Sequence, residues 1–338
     1  MRFGYREVCL EHETGPRHPE SPDRLRAIRQ ALSDRHEVEY VAADSATLEH
    51  VHGVHDEEYV DALETFCARG GGNWDADTVA SDGTWDAALA SAGLAKWAAH
   101  DALEGSDGRQ TPFSLGRPPG HHAVEDDAMG FCFFNNAAVA AQSAIDSGKA
   151  ERVVIFDWDV HHGNGTQDIF YDQGDVFYVS IHEEGLYPGT GHVDEIGERD
   201  GKRTNMNIPF PPGTTHHAFL EALESVIGPA IETFDPDLCI VSAGFDAHEH
   251  DPISRMRVST EGYGLLTDAV RDIATNTDAA LAFVLEGGYG LDTLSSSVRM
   301  VHEVFDGYQP TREEDNEITD QAQSVLESVR DEGFPGVE

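Results

Sequence analysis

The stretch Asp157-Trp158-Asp159-Val160-His161-His162-Gly163-Asn164-Gly165 directly follows an apolar run, Val153-Val154-Ile155-Phe156, and this juxtaposition restricts the fold more than any other part of the chain. The run reads as a β-strand. Side chains alternate along a strand, so Asp157, Asp159 and His161 are expected to project to one side at its carboxyl end. In open α/β sheets ligands bind at the carboxyl ends of the strands, which is where this cluster falls. Burying such polar groups without a cation or hydrogen-bond partners would cost on the order of 2–7 kcal/mol each; a hydrogen-bonded turn would satisfy one or two of them, and a cation is the favoured reading for three.

Three more segments carry the same signature. Phe113-Ser114-Leu115 reads as a short strand leading through Gly116-Arg117-Pro118-Pro119-Gly120 into His121-His122, adjacent imidazoles on a loop stiffened by proline. The strand Leu238 to Ser242 ends in Ala243-Gly244-Phe245-Asp246, and the run Leu281 to Leu285 ends in Glu286-Gly287-Gly288-Tyr289-Gly290. Four strand ends thus deliver two histidines, an aspartate–histidine cluster, an aspartate and a tyrosine.

These runs, together with Val176 to Ile181, alternate with helix-patterned segments at Thr84 to Leu103, Asn136 to Ser147, His216 to Phe234, Thr260 to Ala274 and Leu291 to Phe305. The alternation predicts an α/β fold: one three-layer domain with a central, mainly parallel sheet flanked by helices. Although 338 residues could accommodate two domains, no Pro/Ser linker divides the chain and the candidate residues come from both halves. A domain over residues 1–309 is expected, followed by an acidic tail over 310–338 whose middle, Ile318 to Val329, has helical spacing and would pack loosely.

The chain resembles the histone deacetylase superfamily, which includes acetylpolyamine amidohydrolases. The resemblance rests on Arg17-His18-Pro19-Glu20, Arg117 to His122, Gly130-Phe131-Cys132-Phe133-Phe134-Asn135-Asn136, Asp157 to Gly165, Tyr187-Pro188-Gly189-Thr190-Gly191, Gly244-Phe245-Asp246 and Leu285 to Tyr289, in order along the chain. It implies an arginase-like fold with 1–309 as the deacetylase catalytic domain, and Asp159, His161 and Asp246 as ligands of a catalytic metal. Zinc suits two carboxylates and one imidazole with a position left for water; iron(II) or cobalt(II) is compatible with the same donors. A structural potassium ion near Asp157, Asp159 and His161, completed by oxygens of Ser180 and Ile181, is also implied. His122 is implied as general base and His121 as its electrostatic partner, paired with Asn164 and Asp157 respectively; an asparagine at 164 resembles the class II branch. Tyr289 is implied as donor to the developing oxyanion.

The same resemblance makes Gly130, Phe131 and Tyr187 part of a narrow channel for an acyl-lysine stem, with Asp77 at its rim. Arg24 matches an arginine near an acetate exit tunnel, or is a helix-surface charge. Ile253, following Asp251-Pro252, occupies the position where the polyamine-selective branch has a carboxylate, which lowers the polyamine reading. The function implied is hydrolysis of acetyl or another small acyl group from amines, with acetylated lysine or small acetylated amines as partners. An arginase-type activity would need a further aspartate after Asp159-Val160-His161, where His162-Gly163 stands. A catalytically silent binder of acetylated ligands would not need Tyr289 and both histidines.

Lys+Arg 22 against Asp+Glu 63 gives a net charge of −41, and only Lys96, Lys149 and Lys202 are lysines. Such a charge opposes direct nucleic-acid binding. Cys9, Cys67, Cys132 and Cys239 lack Cys-x-x-Cys spacing and read as buried reduced thiols. No signal peptide and no apolar run of about 18 residues is visible, so a cytoplasmic protein without membrane contact is expected. The dispersed acidity suggests a halophile's cytosol, where salt screens carboxylates from one another. Melting temperature should therefore rise as KCl approaches molar concentration, with NaCl compared at equal ionic strength; a flat or falling trend in both salts would refute the adaptation.

Overall fold

The computed structural model describes residues 1–312 and 318–337; the parts of the acidic tail at 313–317 and 338 lie outside the described residues. Ten strands are present among them: β1 (Arg2–Gly4), β2 (Glu39–Val41), β3 (Gly72–Asn73), β4 (Val79–Ala80), β5 (Pro112–Ser114), β6 (Val153–Asp157), β7 (Val176–Glu183), β8 (Asn205–Phe210), β9 (Leu238–Ala243) and β10 (Ala280–Leu285). β3 and β4 form a small antiparallel ribbon, and the other eight form one sheet in the order β2-β1-β5-β10-β9-β6-β7-β8. All pairings in that sheet are parallel, as the alternation of strands and helices predicts.

Period-two alternation divides each central strand between two helical layers. On β6, Val153 and Ile155 face a layer built from the helices Thr84–Leu103 and Asn136–Asp146, while Val154 and Phe156 face the layer containing Asp23–Leu32, Thr260–Asn276 and Leu291–Phe305. The first layer is alanine-rich: Ala88, Ala92, Ala95 and Ala99 on one helix meet Ala137, Ala140, Ala141 and Ala144 on the other, and small side chains let the two backbones approach closely. Asn135 starts the second of these helices by accepting the Ala138 N–H at 3.0 Å. The expected helix His216 to Phe234 is interrupted by a π-turn at Leu223–Ile227. Pro229 lacks the N–H a regular turn requires, and the Gly228 N–H reaches back five residues to the Leu223 carbonyl instead.

The tail departs from the loose packing expected of it. Its helix, Asp320–Asp331, buries Ala322, Leu326 and Val329 against the core, and Phe334 beyond it stacks on Phe177 of β7 with centroids 6.4 Å apart. The helix lies on β8, the last strand of the sheet, so an amphipathic face covers that end. Leu326→Ala should consequently destabilise the protein by about 2–5 kcal/mol, the range for truncating a buried leucine. Equilibrium denaturation checks this, and an unchanged midpoint would mean that the tail helix adds nothing to the core.

Candidate active site

β5, β10, β9 and β6 are consecutive neighbours in the sheet, so their carboxyl ends open side by side. Asp157 on β6 is level with Ser242 on β9, and Leu285 on β10 is level with Ala243 on β9. Every loop singled out from the sequence as chemically equipped therefore leaves the sheet at one place.

After Asp157 the chain curls instead of staying extended. Asp157 Oδ1 accepts the Asp159 N–H at 3.0 Å, and Asp159 Oδ1 accepts the His161 N–H at 2.9 Å, the carboxylate-to-backbone bonding that makes turns. This corrects the expectation that Asp157, Asp159 and His161 share one side of a strand. Asp157 turns its Oδ2 to His121 Nδ1 at 3.0 Å and accepts the Tyr178 hydroxyl at 3.1 Å.

Asp159, His161 and Asp246 instead converge, with ligand atoms all within 4.8 Å of one another. Asp246 Oδ1 accepts the Val160 N–H at 2.9 Å, and Asp159 Oδ2 accepts the Gly287 N–H at 2.7 Å. Asp246 Oδ2 is buried without a hydrogen-bond partner, 3.3 Å from His161 Nδ1. An orphaned buried carboxylate oxygen is costly, and a cation held by all three residues would satisfy it. The donor set is the one suited to zinc, with iron(II) and cobalt(II) also compatible. Burial and then the neighbouring Asp159 push the Asp246 carboxyl up to about 7, whereas His121 and His161 overcome burial at Asp159 and hold it well below the usual range. Gly244 and Gly287 line this cluster because a side chain at either would overlap Asp159, and at Gly287 also Asp246.

The tandem histidines differ in their surroundings. Both are buried and their ring centroids are 4.0 Å apart. Burial disfavours the His121 imidazolium, but Asp159 and Asp157 outweigh it and push its pKa up to about 10. At His122, burial and then the charges of His121 and His161 push the pKa well below its ordinary value. His122 Nδ1 lies 2.9 Å from Asn164 Oδ1, while Asn164 Nδ2 faces two acceptors, the His122 carbonyl and Met129 sulfur. That orientation makes Nδ1 the protonated nitrogen and leaves Nε2 with its lone pair.

Tyr289 follows β10 through two glycines, and its N–H and that of Gly290 donate to Asp251 Oδ2 at 2.7 and 3.0 Å. Burial raises the Tyr289 pKa well above 10, Arg24 opposes this, and Asp246 and Asp159 reinforce it, so the phenol keeps its proton. The Arg24 guanidinium lies 5.1 Å from the Tyr289 ring centroid. Arg24 is fully buried, which rules out a helix-surface charge; it donates to the carbonyls of Gly288 (2.7 Å) and Glu286, and pairs with Glu20. Glu20 also binds Arg117 at 2.6 Å, and although burial would raise its carboxyl, Arg117 and His12 hold it well below the carboxylate range.

Phe131 sits edge-on to Tyr289, with centroids 5.8 Å apart, and to His18 at 4.6 Å. The Tyr187 ring is perpendicular to His122 at 5.0 Å. Gly130 passes between His122 and Tyr187 with φ +56°, where a side chain would collide with both rings. Asp77 is half-buried, its carbonyl oxygen near His18 Nε2 at 2.9 Å; burial and Asp75 raise its carboxyl. Ile253 donates its N–H to Asp251 Oδ1 at 3.1 Å. Ser180 Oγ lies 2.9 Å from His182 Nδ1.

Two positioning carboxylates escaped the sequence reading. Glu286 is fully buried, pushed up to about 7 by burial, and accepts the N–H groups of Gly120 (2.7 Å) and His121 (3.2 Å), which ties the histidine loop to β10. Asp251 anchors Tyr289 as described. Each stands in a segment singled out for another residue, and the only available signal was a carboxylate beside glycine or proline at a strand end or turn.

A model of the histone deacetylase domain matches residues 18–305. A histone deacetylase-like amidohydrolase of Pseudomonas aeruginosa is 37% identical over 309 residues, covering 85% of this chain and 81% of that protein. A probable deacetylase of Archaeoglobus fulgidus is 37% identical over 294 residues, covering 85% and 81% of the two chains. The crystal structure of the HDA15 HD domain superposes with a TM-score of 0.90 at 36% identity, covering 98% of this chain and 95% of that one.

If Asp159, His161 and Asp246 hold a single metal ion, purified protein should carry about one equivalent. Asp246→Ala should lose tight retention of that metal. Metal analysis finding two equivalents of manganese in the wild type would overturn the one-metal site.

Proposed function

Because the chain belongs to the histone deacetylase family, we propose that it is a metal-dependent amidohydrolase that removes acetyl, or another small acyl group, from amines such as the acetylated lysine of a protein. The observation that carries the proposal is the meeting of Asp159, His161 and Asp246 with two histidines in opposite electrostatic settings and a protonated tyrosine. Zinc held by the three ligands would polarise the acyl carbonyl and make water acidic enough to attack near neutral pH. A structural potassium ion beside Asp157, Asp159 and His161 belongs to the same proposal; Asp157 and Ser180 are paired across β6 and β7, which brings their oxygens to one level.

The chain's own residues then divide the work. His122, with Nδ1 occupied by Asn164, has Nε2 free to take the proton of the attacking water and to return a proton to the leaving amine. His121, buried against Asp157 and close to Asp159, stays cationic and stabilises negative charge that develops beside it. Tyr289 donates its O–H to the developing oxyanion, and Asp251 and Arg24 keep it in place. Phe131 and Tyr187 offer aromatic walls to an aliphatic stem, Gly130 keeps the passage between them open, and Asp77 supplies a carboxylate at the rim.

Small acetylated amines are the second reading, favoured by the carboxylates Asp75 and Asp77, whose field reaches Tyr187. Among the described residues no helix is long and apolar enough to cross a membrane. Turnover of an acetyl-lysine peptide, N-acetylputrescine and arginine, compared in high KCl, separates the readings: hydrolysis of arginine alone, or of none, would defeat the proposal. Tyr289→Phe should lower kcat by about 10²–10³ at matched metal content with little loss of stability, the usual effect of removing one oxyanion donor. Turnover near that of wild type would exclude this role for Tyr289.

A further inference from the structure

The segment Tyr187-Pro188-Gly189-Thr190-Gly191 supplies one wall of the proposed channel, yet Tyr187 is its only residue with a part in the chemistry described so far. Its far end is bound to the segment that carries the metal-site histidine. His162, the neighbour of His161, is buried, with Nδ1 2.8 Å from Thr190 Oγ1 and Nε2 3.0 Å from Gln167 Oε1.

The surrounding bonds determine which atom donates. Gln167 Nε2 donates to the Glu195 carboxylate at 2.6 Å, and Gln167 Oε1 also accepts from the side-chain amides of Asn205 and Asn207 at 2.9 and 2.8 Å. The Gln167 amide is therefore held with its oxygen toward His162. Nε2 of His162 must carry the proton, Nδ1 is left as an acceptor, and Thr190 is the donor.

The same anchor grips the next residue. Gly191 donates its N–H to Glu195 Oε2 at 3.3 Å, and its carbonyl lies 3.0 Å from His182 Nε2. Gly191 (φ +86°) packs its backbone on both rings, since a side chain there would fall 2.7 Å from His162 and from His182. Tyr187, three residues before Thr190, meets the His122 ring at 5.0 Å. A continuous path thus runs from His161 through His162 and Thr190 to the aromatic wall.

We propose that Thr190 is a positioning residue for Tyr187: its hydroxyl, donated to His162, latches the wall-bearing loop to the metal-site segment and so sets the channel's grip on the acyl-lysine stem. The inference rests on the deacetylase reading. It assigns Thr190 to substrate binding, because the latch acts on the wall and leaves the reacting groups in place.

Thr190 is itself exposed on a glycine-flanked turn, so replacing it leaves the core intact. Thr190→Val keeps the shape and removes the donor; Thr190→Ser keeps the donor. Thr190→Val should raise KM for an acetyl-lysine peptide by about 2- to 10-fold, the range of one hydrogen bond's net contribution. Its kcat should stay within about twofold of wild type, as expected when uniform binding is lost. Metal content and melting temperature should be those of wild type, and Thr190→Ser should restore KM. In a Tyr187→Ala background Thr190→Val should have no further effect, which a general structural role would not predict. An unchanged KM in Thr190→Val, a failure of Thr190→Ser to restore it, or an undiminished effect without Tyr187 would overturn the latch while leaving the deacetylase reading intact. A wild-type protein that hydrolyses neither the peptide nor N-acetylputrescine would overturn both.

Discussion

Buried carboxylates at the carboxyl ends of adjacent parallel strands are the constraint around which this structure is arranged. Asp157, Asp159, Asp246 and Glu286 are all fully buried, and a carboxylate taken from water must find donors or a cation. Here the donors are mainly backbone N–H groups of the loops themselves: Asp159 for Asp157, His161 and Gly287 for Asp159, Val160 for Asp246, Gly120 and His121 for Glu286. Each bond that satisfies a carboxylate also fixes the path of a loop, so the charges shape the site they serve. One oxygen, Asp246 Oδ2, is left over, and it faces the place where a cation would be held.

The same crowding of charge separates the two histidines. His121 is pressed against Asp157 and Asp159 and takes on a stable positive charge; that charge, together with burial, keeps His122 neutral. Two adjacent residues of one type thereby acquire opposite protonation states. Asn164, a neutral partner, orients His122 and favours its protonation less than burial and the neighbouring histidines oppose it, whereas an aspartate at that position would favour the imidazolium more strongly.

Behind the site a second buried network works on Tyr289. Arg24 carries its guanidinium to the carbonyls of Glu286 and Gly288 and to the Tyr289 ring, and it is neutralised by Glu20, which Arg117 also binds. Arg117 belongs to the loop that leads to the histidines and donates to the Cys9 carbonyl at 3.0 Å. The histidine loop and the tyrosine loop are therefore braced by one ion cluster, and displacement of either would leave a buried charge unpaired.

Much of this was readable from residue types and local spacing. Apolar runs closing in Asp, Gly or His specify strands with chemistry at their carboxyl ends, and the helices Thr84–Leu103 and Leu291–Phe305 follow from period and boundary residues, because these signals are local. Local spacing placed Asp159, His161, Asp246, the tandem histidines and Tyr289 at strand ends, and the resemblance to the histone deacetylase superfamily implied their roles. Their assembly could not be read from local signals. The sheet order places β10 between β5 and β9, so Gly287 meets Asp159 across 128 residues of chain, and only the folded sheet creates that contact. The turning of Asp157 away from Asp159, His161 and Asp246, the burial of Arg24, the anchoring by Glu286 and Asp251, and the seating of the tail helix on β8 were likewise decided by tertiary structure. A buried polar group takes whichever donor the packing brings to it, and an amphipathic helix takes whichever apolar surface remains uncovered; neither partner is encoded next to the residue that needs it.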